Sequence, residues 1–189
     1  MNIRRFLKTD TAVPDSSRRS FLKVSAGASA GLMLGVSFSA PSALAQQASD
    51  AALEMNAFVS ISPDNTVKVL IKHLEMGQGV YTGLATCVAE ELDADWSQVV
   101  CEHAPADVSK YANLLMGQQG TGGSTAIANS FMQMRQAGAA AKAMLVAAAA
   151  AQWQVNASEI TVSNGVVSHG NHSATFGELA VAAAQQPTP

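Results

Sequence analysis

Two glycine-rich stretches carry the residues with the clearest chemical use. The first is Glu75-Met76-Gly77-Gln78-Gly79-Val80-Tyr81-Thr82, and the second is Met116-Gly117-Gln118-Gln119-Gly120-Thr121-Gly122-Gly123-Ser124. Each runs into a segment with helical patterning. Val80, Leu84, Val88 and Leu92 recur every four residues after the first, which is one face of a helix. A long Ala-rich run follows the second. Glycine at a helix start lets the backbone come close to a ligand. The first N–H groups of a helix have no intrahelical acceptor, and the helix dipole is positive there. Such a turn binds an anion without a basic side chain. Two of them can grip one extended anionic ligand from two sides. The plain alternative is two ordinary loops in which glycine only makes the turn.

Other chemistries have little footing. No Gly-x-Ser-x-Gly elbow is present, and neither loop ends in Gly-Lys-Ser/Thr, so serine hydrolases and phosphate-cradling NTPase loops find no motif. The histidines His73, His103, His169 and His172 are scattered. Only His169 and His172 are close, in a polar turn where solvation is expected, and no metal site is assigned. Cys87 and Cys101 fit no zinc spacing. They read as one thiol on a helix and one on a strand, able to pair only if those elements lie side by side. Glu75 and Glu90-Glu91 are the acids nearest the first loop; Glu90 and Glu91 are too far along the helix and are expected in solvent. Met132 and Met134 read as core filler. No residue is assigned as catalytic.

Charge sharpens the picture. The 189 residues carry a net −3 and only 13% charged residues. Residues 1–45 hold six Lys/Arg and two Asp/Glu, a net +4; residues 46–189 hold five and twelve, a net −7. A body that acidic is a poor partner for nucleic acid. An anionic ligand would rest mainly on backbone amides, with Arg135, Lys142 and Lys110 as the scarce cations.

The elements that must position these loops follow in order. Residues 1–45 read as an export signal: Ser17-Arg18-Arg19-Ser20-Phe21-Leu22-Lys23 is a twin-arginine motif, a mildly apolar run follows, and Ala43-Leu44-Ala45 is a small-x-small cleavage site. The expectation is a periplasmic protein, at the membrane only during export. Residues 46–56 read as a linker and 57–189 as the folded part. Phe58–Ile61 and Thr66–Lys72 form a hairpin around Ser62-Pro63-Asp64-Asn65. The first glycine loop and its helix run to about Leu92. Val99–His103 is a strand, and Ala104–Gly123 a long loop of the kind that carries function. The second helix spans Thr125–Trp153 with Ser124 as its N-cap, buried or half-buried rather than spanning a membrane, with Gly138 tolerated for close packing. Glu159–Ser163 and Val166–His169 make a hairpin about Asn164-Gly165. Thr175 and Glu178 stand at capping-box spacing before a last short helix. The fold class is α+β, with short β-hairpins and strands packed against two main helices.

Several of these residues resemble a known family. Glu75-Met76-Gly77-Gln78-Gly79, with Thr82 and the helix ending Ala89-Glu90-Glu91-Leu92, resembles the pterin-contacting segment of the molybdenum hydroxylases, the xanthine oxidase and aldehyde oxidase family. Thr121-Gly122-Gly123-Ser124 and the helix with Met134-Arg135-Gln136-Ala137-Gly138 resemble its second cofactor segment. A twin-arginine signal running almost directly into these segments resembles the large subunit of the isoquinoline 1-oxidoreductase branch. The likeness covers nearly the whole chain.

The resemblance implies part of a larger molybdopterin-binding domain that holds molybdopterin cytosine dinucleotide at Gly77, Gln78, Gly79, Gly122, Gly123 and Ser124. The family reaction hydroxylates an aldehyde or N-heterocycle carbon with water-derived oxygen. Electrons leave through a separate iron–sulfur subunit toward an acceptor such as a cytochrome. Family large subunits are several times longer, and their catalytic glutamate lies in a later segment that nothing here matches. The expectation is therefore an N-terminal fragment or truncated product, inactive alone. The rival readings are a periplasmic binding module for a phosphorylated small molecule and a ligand-free structural or interaction protein.

Overall fold

The computed structural model describes residues 53–189. The twin-arginine signal and residues 46–52 of the expected linker lie outside that range. The rest of the linker is structured, which corrects the 46–56 boundary. Leu53–Glu54 form strand β1 against Ser60–Ile61, and Met55 is buried. The cause is Asn56. Its Oδ1 accepts from the amides of Phe58 and Val59, and its Nδ2 donates to Ala137 O.

The first sheet has the order β1-β2-β3-β4. β2 (Val59–Ile61) and β3 (Val67–Ile71) are antiparallel, as the turn chemistry of 62–65 predicts. Asn65 takes φ 72°, and Ser62 N donates to Thr66 O at 2.9 Å. β3 alternates buried and half-buried positions, the mark of a strand with one covered face. β4 (Val99–His103) pairs with β3 in parallel. A parallel neighbour requires a crossover, and helix α1 (Val80–Leu92) supplies it. Its buried residues Val80, Leu84, Val88 and Leu92 are the four the periodicity singled out.

The region 104–123 is less irregular than expected. It contains a one-turn helix α2 (Val108–Tyr111), whose Tyr111 hydroxyl donates to Ala57 O. The long helix α3 (Ala126–Trp153) then runs for 28 residues. Its N-cap is Thr125, not Ser124, because Ser124 takes the left-handed conformation with φ 56° and so belongs to the loop. Met134 is core, as expected, whereas Met132 is 56% exposed on the opposite face. No helix among the described residues is long and apolar enough to cross a membrane. Cys87 and Cys101 are both free, each half-buried.

A second sheet, β5-β6-β7, completes the chain with helix α4 (Phe176–Ala184). β5 (Thr161–Ser163) and β6 (Val166–His169) turn at Asn164-Gly165, both at positive φ. β7 (His172–Thr175) was not anticipated. His169 and His172 do not sit in a free turn; they face each other across β6 and β7. Thr175 and Glu178 form the predicted capping box. The architecture is α+β, as the sequence implied. Gly177 N donates to the Asn65 side-chain Oδ1 at 2.8 Å, tying α4 to the β2–β3 turn, and Gly165 N donates to Asp93 O at 2.7 Å, tying the second sheet to the C-terminal end of α1.

α1 and α3 pack at unusual proximity. A Cβ on Gly138 would lie 2.6 Å from Val88 O. Gly138→Ala, which improves helix propensity by about 1 kcal/mol, is therefore expected to destabilise by about 1–3 kcal/mol, the cost of overpacking. Gly83→Ala meets only the flexible Cδ1 of Ile127, at 3.3 Å, and is expected to be neutral or stabilising by up to about 1 kcal/mol. Denaturant unfolding of both variants checks the contrast, which reverses if helix propensity dominates.

Candidate functional site

The glycine loops come together because their helices run the same way. Gly83 faces Ile127, Glu91 pairs with Arg135, and Asp93 pairs with Lys142. The paired numbers rise together, so α1 and α3 are parallel and start at one end. A cleft of about 310 Å³ opens there, lined by Met76 and Gln78 of the first loop and by Thr121, Gly122, Ser124, Thr125 and Ala126 of the second. Leu74 N donates to Thr121 Oγ1 at 2.8 Å and stitches the loops together. Of the six residues expected to bind, Gln78, Gly122 and Ser124 line the cleft. Gly77, Gly79 and Gly123 shape it instead, at φ 96°, 79° and 60°.

The first loop departs from the expectation of free amides. Its own Glu75 carboxylate takes them: Oε1 accepts from Gly77 N at 2.7 Å and Gly79 N at 3.1 Å, and Oε2 from Tyr81 N at 3.0 Å. Bonds from the backbone N–H of Tyr81, then of Gly79, outweigh the little desolvation and lower the Glu75 pKa. The Gln78 side chain is also turned inward, accepting from Met76 N and donating to Leu74 O, each at 2.7 Å. This loop is a self-capped wall of the cleft rather than an open anion site.

The second loop keeps its donors. Among the described residues, the amides of Gly122, Gly123 and Ser124 reach no protein acceptor. Thr125 makes no side-chain cap because its Oγ1 donates to Gly122 O at 2.8 Å. The loop is held from beneath by Asn113, which is fully buried. Asn113 Nδ2 donates to Thr125 Oγ1 at 2.9 Å and Gly120 O at 3.3 Å, while its Oδ1 accepts from Leu115 N and Asn129 Nδ2.

Two buried basic side chains adjoin this network. His73 is fully buried. Its Nδ1 meets Gly120 O at 3.2 Å and its Nε2 meets Ser130 Oγ at 2.9 Å. A carbonyl only accepts, so Nδ1 carries the proton. Burial lowers the His73 pKa, against the raising effect of the Gly120 bond. Lys72 Nζ donates to Ala112 O at 2.9 Å and to Gln133 Oε1 at 2.7 Å, and burial lowers its pKa too. The cations nominated from sequence serve elsewhere. Arg135 and Lys142 pair with Glu91 and Asp93, and Lys110 is exposed. Sequence reasoning missed Asn113, Lys72, His73 and the capping role of Glu75. The signal available was adjacency: Lys72-His73 and Glu75 bracket the first loop.

The donor set fits an anionic group such as a phosphate of a pterin nucleotide at the second loop. No carboxylate lines the cleft, and the unpaired N–H groups of the second loop, just before the start of α3, favour negative charge. Exposed Met76, Met116 and Ile127 add apolar surface around it.

The fold and this site define a cofactor-binding domain, and comparison with known proteins states which. The molybdopterin cofactor-binding domain family matches residues 11–189. The chain is 40% identical over 187 residues to the isoquinoline 1-oxidoreductase subunit beta of Brevundimonas diminuta, covering 93% of this chain and 23% of that one. It is 35% identical over 170 residues to a membrane-bound, pyrroloquinoline-quinone aldehyde dehydrogenase of Gluconacetobacter polyoxogenes, covering 86% and 21%. The fold matches the crystal structure of quinoline 2-oxidoreductase from Pseudomonas putida 86 with TM-score 0.51 and 21% identity, over 68% of this chain and 16% of that one. This chain belongs to the molybdopterin cofactor-binding domain family. It spans less than a quarter of the length of either relative.

Two outcomes follow from the geometry. The Gly77, Gly79 and Tyr81 amide resonances are expected to titrate together with a midpoint below 4.5, the ordinary glutamate value. The carboxylate contact holds above that pH and is lost as pH falls through it; Glu75→Gln abolishes the titration, which NMR reads directly. Asn113→Ala leaves buried partners unpaired and is expected to cost about 2–4 kcal/mol in denaturant unfolding.

Proposed function

We propose that these residues form the opening part of the cofactor cradle of an exported, molybdenum-dependent oxidoreductase that hydroxylates aldehydes or N-heterocycles. The cofactor is molybdopterin cytosine dinucleotide. One observation supports the reading: the two glycine loops meet at one cleft, and the amides of Gly122, Gly123 and Ser124 meet no protein acceptor among the described residues. When bound, the molybdenum centre supplies the two-electron oxidation of the substrate carbon. The chain's own part is to hold the cofactor. The second loop donates to its anionic end, and the Glu75-capped first loop fixes the opposite wall. The electrons pass to an iron–sulfur subunit and on to an acceptor such as a cytochrome, in the periplasm, where the twin-arginine motif directs the protein.

The cleft offers no acid, and the Glu75 oxygens are taken by amides. The base for substrate oxidation therefore comes from polypeptide outside residues 53–189, and these residues bind without turning over. A second reading, a module for a phosphorylated small molecule, rests on the same amides but predicts no molybdenum.

The test is elemental and pterin analysis of the full chain purified from molybdenum-replete cells. Molybdenum, a fluorescent oxidised pterin and a cytosine nucleotide in equal amounts are expected, with no hydroxylation of aldehydes or heterocycles by the chain alone. Pyrroloquinoline quinone or a phosphorylated metabolite without molybdenum overturns the cofactor, and turnover by the chain alone overturns the division of roles.

A further inference from the structure

The charges of residues 53–189 are nearly all accounted for, and the exception points at the cleft. Lys68, Arg135 and Lys142 pair with Glu102, Glu91 and Asp93. Lys110 stands in solvent. Lys72 is only 3% exposed, and its ammonium meets two neutral oxygens, Ala112 O and Gln133 Oε1, with no carboxylate in ion-pairing range among the described residues. A buried charge facing only neutral acceptors is costly in a protein interior. The described residues carry an excess of acids, and none of these pairs with Lys72.

The position of Lys72 gives the charge a use. Ala112 directly precedes Asn113, the residue that ties Gly120 and Thr125 together under the second loop. Gln133 lies on α3, two turns beyond the Thr125 N-cap. The ammonium is thus linked through Ala112 and the adjoining Asn113 to the loop whose amides meet no protein acceptor among the described residues. Lys72 and Asn113 are both buried, and a charge in a buried setting is weakly screened. The neighbouring His73 is held neutral by its burial and adds no competing charge. Glu75, three residues on in sequence, is committed to the amides of the first loop.

We propose that Lys72 is a positioning residue for the cofactor's anionic end: its buried ammonium is the counter-charge for a phosphate or pyrophosphate bound at Gly122–Ser124, acting from behind the loop without touching the ligand. This rests on the cofactor-cradle reading above and adds the residue that supplies the net charge the amides lack. The lowered Lys72 pKa is consistent with an ammonium still waiting for its anion.

The test uses the full chain and inorganic pyrophosphate as probe, followed by calorimetry at low salt. K72M is expected to weaken pyrophosphate binding about tenfold, the effect of removing one weakly screened charge. K72R, which keeps the charge, is expected to stay within about threefold of the unaltered chain. Thermal stability of K72M is expected to hold or rise, since an unpaired buried charge has gone; a purely structural lysine would show the opposite pattern.

A second measurement stands even if K72M does not fold. In the unaltered chain labelled at lysine 13Cε, saturating pyrophosphate must move the Lys72 titration to higher pH, because coupling between two sites is reciprocal. Wild-type affinity in K72M, or a Lys72 titration that pyrophosphate does not move, overturns the inference. Should the chain carry molybdenum and pterin while either of those results is found, this inference alone fails. Absence of molybdenum together with absence of pyrophosphate binding sinks both.

Discussion

The approach of α1 to α3 is the constraint from which the site follows. At Gly138 the backbone of one helix touches the other, with Val88 O filling the space a side chain would need. A parallel pair at that distance brings two helix N-termini to the same end, and with them two glycine loops separated by some forty residues of sequence. Two positive dipole ends side by side are not electrostatically comfortable. The arrangement is relieved by negative charge at that end, and the molecule meets this need in two different ways.

At the first loop the relief is internal. Glu75 reaches over the turn and takes three amides, and Gln78 closes the remaining loop groups on themselves. At the second loop no side chain does the same. Thr125, the N-cap, spends its hydroxyl on Gly122 O instead of on its own helix. The result is asymmetric: one wall is rigid and neutralised, and the other keeps donors pointing outward. This division is what makes a cleft between similar-looking loops polar in one direction.

The polar groups beneath the second loop explain why it holds such a shape without a ligand. Asn113, Asn129, Ser130 and His73 form one connected set, and nearly every donor in it has a stated acceptor. Buried networks of this kind fix a single arrangement when fully satisfied. They also put polar residues where an apolar core would be expected, and support the start of α3 by hydrogen bonds. Met76, Met116, Ile127 and Met132 are among the exposed large apolar groups and lie in these loops and the first turns of α3, while Trp96, Val100, Val166 and Val181 are exposed elsewhere; the alanine-rich part of α3 is largely covered.

Much of the fold was legible because it is written locally. The four-residue recurrence of Val80, Leu84, Val88 and Leu92 has one helical solution. Asn164-Gly165 accepts the positive φ angles of a tight hairpin, and Thr175 with Glu178 can bond each other only at a helix start. Strand β7 was not legible, since His172–Thr175 is polar, largely exposed and without apolar alternation; it is a strand because β6 offers it partners. The sequence alone thus determined most of the element types and the two glycine turns that lead into α1 and α3. Tertiary structure decided which of their amides are open. That outcome depends on a carboxylate folding back over its own turn, and on His73, Lys72 and Asn113 meeting partners up to 61 residues away, contacts that no local pattern encodes.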